Sequence, residues 1–144
     1  MELSIRTVEI KDSAPIAKLL GQLGYASNIH SVQDRLTEII KSRDHCVFIV
    51  EDNEKTVGWI HGFYALKVES DPFIEIGGLV VDENYRKKGI GKKLVDRIIQ
   101  WAESGKCKKV RVRCNSIRKE SHLFYENMGF ALNKEQKVFD MQLG

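Results

Sequence analysis

Seven consecutive residues, Arg86-Lys87-Lys88-Gly89-Ile90-Gly91-Lys92, carry the clearest chemistry in this chain. They lie between an apolar run, Leu79-Val80-Val81, and a segment that sets Leu94, Val95, Ile98, Ile99 and Ala102 on one helical face. A strand, a glycine-bearing loop and a helix in that order leave backbone N–H groups unpartnered, and the positive end of the helix dipole points at them. Gly89 and Gly91 let a ligand approach the main chain without a side-chain clash. Such a loop suits the phosphates of a small molecule.

Spacing excludes two familiar phosphate ligands. A P-loop needs glycine five positions before its final Gly-Lys pair, and Ser or Thr after that lysine; Arg86 and Lys93 stand there instead. A dinucleotide fingerprint needs a third glycine three residues past the second, and Leu94 occupies that position. Neither a nucleoside triphosphate nor a nicotinamide cofactor fits the loop.

Charge is divided sharply along the chain. Residues 86–119 sum to +11, whereas residues 1–85 sum to −6 and residues 120–144 to −2. That split suits an anionic ligand at the basic stretch and a cationic one elsewhere. A nucleic-acid module built on 86–119 is disfavoured, because the remainder is acidic and the stretch lacks interleaved aromatics. The 144 residues are enough for one domain with a proper core. No apolar run nears the roughly 20 residues of a membrane span, and Met1–Arg6 lacks a signal-peptide pattern. Cys46, Cys107 and Cys114 lack metal-ligand spacing, so no metal is expected; free thiols in a reducing cytoplasm are.

The elements that must position the loop follow from periodicity. Leu3–Val8 alternates as a strand. Asp12 is expected to cap a helix with Ile16, Leu19, Leu20 and Leu23 on its apolar stripe, Gly21 or Gly24 marking its end. Residues 25–30 read as a loop, and Ser31 with Asp34 as a capping-box start to a second helix. Cys46–Val50 and Thr56–Lys67 make a hairpin about the polar turn 52–55, with Gly58 and Gly62 marking bulges or a close backbone approach. Pro72 interrupts the pattern before a strand over Phe73–Val81. After the central helix, which Gly105 ends, come a strand over Lys109–Cys114, a helix over Ser121–Asn127 and a last strand through Val138, Phe139 and Met141. The order βαα, three strands, then αβαβ describes one mixed α/β domain over residues 1–144.

Arg86-Lys87-Lys88-Gly89-Ile90-Gly91 matches Arg/Gln-x-x-Gly-x-Gly/Ala, which resembles the acetyl-coenzyme A signature of the GNAT superfamily of N-acetyltransferases. Glu75–Asp82 is similar to that family's fourth strand. Arg118–Phe130 is similar to the Arg-x-x-Ala-His-x-Phe-Tyr-x-x-x-Gly-Phe segment of one branch. Leu20–Tyr25 and Val57–His61 resemble the same branch, which includes aminoglycoside acetyltransferase-like proteins. The resemblance spans the chain. It implies the GNAT fold, a largely antiparallel central sheet with splayed fourth and fifth strands and about four helices.

It also implies roles. Acetyl-CoA is the co-substrate, its pantetheine arm pairing with Leu79, Val80 and Val81. Its diphosphate lies on the Arg86–Gly91 loop, with Lys87, Lys88, Ile90 and Lys92 contributing and Arg118 as a further contact. The acceptor is the primary amine of a small cationic molecule, an aminoglycoside being the first guess. Such an amine is mostly protonated at neutral pH, so a general base is needed. Glu75 is the candidate, directly or through water, and a period of two puts it on the face of Gly77, Leu79 and Val81. A strand amide near Val81 would hold the oxyanion, and Tyr125 would protonate the leaving thiolate. His61 and His122 read as satisfied histidines, with binding or proton relay by His61 as the alternative. A protein amine as acceptor, or a non-catalytic acetyl-CoA sensor, are the competing functions, and a homodimer is an open possibility.

Overall fold

In the computed structural model, which describes residues 1–25 and 27–144, five strands form one mixed sheet in the order β1-β2-β3-β4-β5. The strands β1 (Leu3–Thr7), β2 (His45–Asp52), β3 (Lys55–Lys67) and β4 (Ser70–Val81) run antiparallel, and β5 (Val110–Val112) joins β4 in parallel. The helices are α1 (Ser13–Gln22), α2 (Ile29–Lys41), α3 (Ile90–Ser104) and α4 (Lys119–Asn127). The chain divides into two compact units. Met1–Val112 holds the sheet and α1 to α3, and Arg113–Gly144 holds α4.

One face of the sheet packs Val47, Ile49, Trp59 and Val80 against Ile16, Ala17 and Leu19 of α1 and Val32 and Leu36 of α2. Helix α3 covers the other face, and Leu94, Val95 and Ile98 are fully buried. Burying each such side chain contributes about 1.5–3 kcal/mol. The two glycines of β3 permit this closeness: a Cβ on Gly62 would sit 2.7 Å from Ile98, and one on Gly58 3.4 Å from Leu94.

Most elements match their patterns, and the departures have local causes. Asp12 sits at the α1 N-cap but makes no side-chain cap bond. Arg6 donates to both its carboxylate oxygens at 2.7 and 2.8 Å, and the Glu9 N–H donates at 2.8 Å. Asn28, not Ser31, caps α2, accepting from the Ser31 N–H at 2.7 Å, so the helix begins at Ile29. Of the loop expected at 25–30, Ala26 lies outside the described residues. The β2–β3 turn places Asn53 and Glu54 at φ 48° and 73°, the left-handed pair that a two-residue hairpin turn needs. Pro72 lies inside β4 rather than before it, near a register irregularity between Ala65 and Lys67 of β3. The strand expected over Lys109–Cys114 shrinks to Val110–Val112.

The last strand, expected through Val138, Phe139 and Met141, does not form: residues 130–144 carry no regular element. An apolar pattern makes a strand only where a neighbouring strand completes its hydrogen bonds, and these three side chains are exposed. Among the described residues no helix is long and apolar enough to cross a membrane.

Candidate active site

Strand β4 changes character along its length. Ile74, Glu75 and Ile76 pair with β5, whereas no β5 residue pairs with Gly77 to Val81, so β4 and β5 part company at that point. On its other side β4 pairs with β3 as far as Val81, and at this point the register shifts, His61 pairing with Gly78 and Gly62 with Ile76. Gly77 is therefore an extra residue, a β-bulge. Both bulge glycines answer to close neighbours. A Cβ on Gly78 would lie 3.0 Å from the Trp59 ring, and one on Gly77 would lie 2.9 Å from His61 Nδ1.

The bulge overturns the expected facing of Glu75. Gly77, Gly78 and Val80 share the face of His61 and Trp59, and Glu75, opposite Phe63, shares it too. Val81, opposite Gly58, and Leu79, opposite Ile60, point to the α3 face. Glu75 and Gly77 thus stay together, while Leu79 and Val81 are on the far side. The period of two holds only along an unbroken strand.

Around Glu75 the same face gathers His45, His61 and Phe63. The His45 and His61 rings stack at 5.2 Å, with His45 Nδ1 and His61 Nε2 2.9 Å apart in a hydrogen bond. Burial, with a smaller contribution from His45, pushes the His61 pKa down to about 4, so the ring is neutral at pH 7. Further down β4, Lys67, Lys109 and Arg111 hold their charges 5.7, 4.9 and 4.3 Å from the ring of fully buried Phe73. Arg111 stands opposite Glu75.

Beyond Val81 the chain is pinned before it reaches the glycine loop. The Asp82 N–H donates to Val57 O at 2.8 Å, the Glu83 N–H to Gln22 Oε1 at 2.9 Å, and the Tyr85 hydroxyl to Asp52 at 2.8 Å. Lys55 and Lys88 both lie 5.2 Å from the Tyr85 ring. Lys87 has φ 61°, and Gly89, the α3 N-cap, has φ 80° with no side-chain cap bond. Lys93 donates to Gly89 O at 3.1 Å as the first backbone bond of α3. The amides of Ile90, Gly91 and Lys92 precede it and are left for a ligand. Lys92 lies 3.7 Å from Asp96. Open amides, left-handed glycine and flanking cations fit a diphosphate.

In the second unit, Tyr125 on α4 is buried, edge-on to Phe124 at 5.0 Å and to Phe130 at 5.4 Å. Burial, and secondarily Cys114, raise its pKa above the ordinary phenol value, so it stays protonated. Arg118 is the α4 N-cap, and His122 Nε2 lies 2.9 Å from Asn115 O.

The acetyltransferase (GNAT) family model matches residues 16–130. The chain belongs to the GNAT family. It is an acetyl-CoA-dependent acyltransferase with the family's fold. It is 32% identical to glucosamine 6-phosphate N-acetyltransferase of Arabidopsis thaliana, across 94% of this chain and 96% of that protein. The crystal structure of the Arabidopsis enzyme superposes with a TM-score of 0.84 at 27% identity, covering 99% of this chain and 100% of that one. An aminoglycoside 6'-N-acetyltransferase from Acinetobacter baumannii shares the fold, with a TM-score of 0.87 at 16% identity over 99% of this chain and 100% of that one.

Sequence reasoning missed His45. Its partnership with His61 depends on the β2–β3 register, in which Val47 opposes His61 and His45 opposes Phe63. The alternation His45, Val47, Ile49 on one strand against His61 and Trp59 on the other was the available signal.

Proposed function

We propose that this acetyltransferase moves the acetyl group of acetyl-CoA to the primary amine of a small amino sugar. The carrying observation is the free edge of β4 at Gly77–Val81, followed through the glycine loop by an α3 N-terminus with no side-chain cap. The backbone edge of Leu79, Val80 and Val81 that faces away from β3, which β5 does not cover, would hold the pantetheine amides. Arg86, Lys87, Lys88, Gly89, Ile90, Gly91 and Lys92 would bind the diphosphate, with Arg118 a further contact suggested by the family resemblance.

Glu75 attracts the acceptor ammonium and takes its first proton, through a water or directly. A strand amide near Val81 stabilises the oxyanion. Tyr125, kept protonated by burial, donates to the departing thiolate. The support for Tyr125 is its place in the Arg118–Phe130 segment. The same proposal treats residues 1–144 as one catalytic domain acting in the cytoplasm, with a homodimer as its assembly.

For the acceptor, two observations favour an amino sugar carrying an anionic group. The Arabidopsis relative acts on glucosamine 6-phosphate by name, and Lys67, Lys109 and Arg111 gather about the ring of Phe73, two residues before Glu75, with Arg111 opposite Glu75 itself. The second reading is an aminoglycoside, favoured by the acidic sum of residues 1–85.

The test is calorimetric titration with acetyl-CoA followed by a thiol-release assay with glucosamine 6-phosphate, glucosamine and an aminoglycoside. The proposal expects tight acetyl-CoA binding and a kcat/KM at least about tenfold higher for the phosphorylated sugar, the equivalent of one charge-assisted contact. Preference for the aminoglycoside would select the second reading. Acetyl-CoA binding without turnover of any amine, protein amines included, would indicate a sensor.

A further inference from the structure

Acetylation of an ammonium requires nitrogen to shed two protons, one before attack and one after the C–N bond has formed. One of them replaces the proton that the thiolate takes up, and the other leaves as solvent acid. Glu75 accounts for the first deprotonation only.

We propose that His61 and His45 form a relay that carries the second proton from the substrate nitrogen to solvent. The proposal rests on the acetyltransfer reading above and deepens it. Three observations carry it. His61 Nε2 and His45 Nδ1 are 2.9 Å apart, so a proton on the first is donated to the second. Gly77 is exposed, and a Cβ placed there would come 2.9 Å from His61 Nδ1. The missing side chain thus leaves a notch in which a substrate atom reaches Nδ1 at hydrogen-bond distance. Finally, among the described residues His61 Nδ1 makes no hydrogen bond, and of the partnerless side-chain polar atoms only Trp59 Nε1 is sealed from solvent. His61 Nδ1 opens at the point where β4 leaves β5 and beside Glu75 on the same face.

The protons balance as follows. The amine nitrogen bonds to the acetyl carbon, and its N–H transfers to His61 Nδ1. The Nε2–H of His61 passes to His45 Nδ1, and the Nε2–H of His45 goes to water. The C–S bond breaks, and the thiolate takes the Tyr125 proton. No imidazolium need persist, which suits a ring whose burial disfavours charge. Nitrogen bonded to the tetrahedral carbon is a weaker base than the free amine, so a weakly basic imidazole can accept from it.

The test has two arms on the full-length protein. ¹⁵N NMR of histidine-labelled enzyme reads the tautomers directly: the relay requires His61 protonated on Nε2 and bare on Nδ1, and a proton on Nδ1 overturns it. In thiol-release assays with glucosamine 6-phosphate, His61→Ala should lower kcat about 100-fold while acetyl-CoA affinity stays at the wild-type value. His45→Phe keeps a stacked ring but cannot accept the proton, and should lower kcat by less. Gly77→Ala closes the notch and should behave like His61→Ala. Wild-type kcat in His61→Ala overturns the relay while leaving the acetyltransferase reading intact. A wild-type enzyme that binds acetyl-CoA yet acetylates no amine overturns the acetyltransferase reading itself. Should His61→Ala not fold, the tautomer measurement and His45→Phe decide.

Discussion

The two halves of β4 are built on opposite principles. Phe73, Ile74 and Ile76 are at most 4% exposed, and this half of the strand has partners on both sides, ending in the short ladder to β5. Gly77 to Val81 keep one partner only, after a bulge that exposes Gly77 and re-aims the residues beyond it. The first half is scaffold, and the second, paired with β3 alone, leaves one backbone edge that β5 does not cover, the edge proposed above for the co-substrate. A single strand can serve both purposes because β5 stops at Val112, opposite Ile76, one residue before the bulge.

The contrast is broken most severely in the scaffold half. Phe73→Ala removes a fully buried ring and should cost about 3–5 kcal/mol in urea unfolding, whereas substitutions at half-buried Leu79 and Val81 of the free-edge half should change function more than stability. Glu75→Gln, at the junction, should lower kcat about 100-fold with acetyl-CoA affinity unchanged. An unaltered pH–rate profile would remove Glu75 as the first proton acceptor.

What the residues disclosed in advance follows this division. The loop was legible because its requirements are local. A left-handed backbone at position 89 and open amides at a helix start each select residue types, and Gly89 and Gly91 declare them. The order of strands and helices was legible for the same reason, up to β5. Facing was not. A period of two cannot show a bulge at Gly77, and so it sets Leu79 and Val81 on the face of Glu75. The His45–His61 pair needs strand register, which no single segment contains. The expected last strand failed because Val138, Phe139 and Met141 supply a pattern without a partner.

Smaller effects sharpen the free-edge half. Gly89→Ala forces a side chain into a φ of 80°, at about 1–2 kcal/mol. Acetyl-CoA affinity should fall roughly tenfold by calorimetry, with glucosamine 6-phosphate KM little changed. The least effect concerns pH. His61 has a folded pKa depressed to about 4 against an unfolded value of about 6.5. The unfolded chain therefore binds more protons across that window, and folding stability falls as pH drops from about 6.5 towards 4. His61→Phe should flatten that part of the curve of Tm against pH, while an unchanged slope would assign the loss to other groups.

Hydrogen exchange at single-residue resolution, with and without acetyl-CoA, tests the central claim most directly. The account predicts that acetyl-CoA slows exchange of amides in Gly77–Val81, the unpaired β4 edge, and at Ile90, Gly91 and Lys92. Slowing elsewhere, with these two groups unchanged, would contradict it.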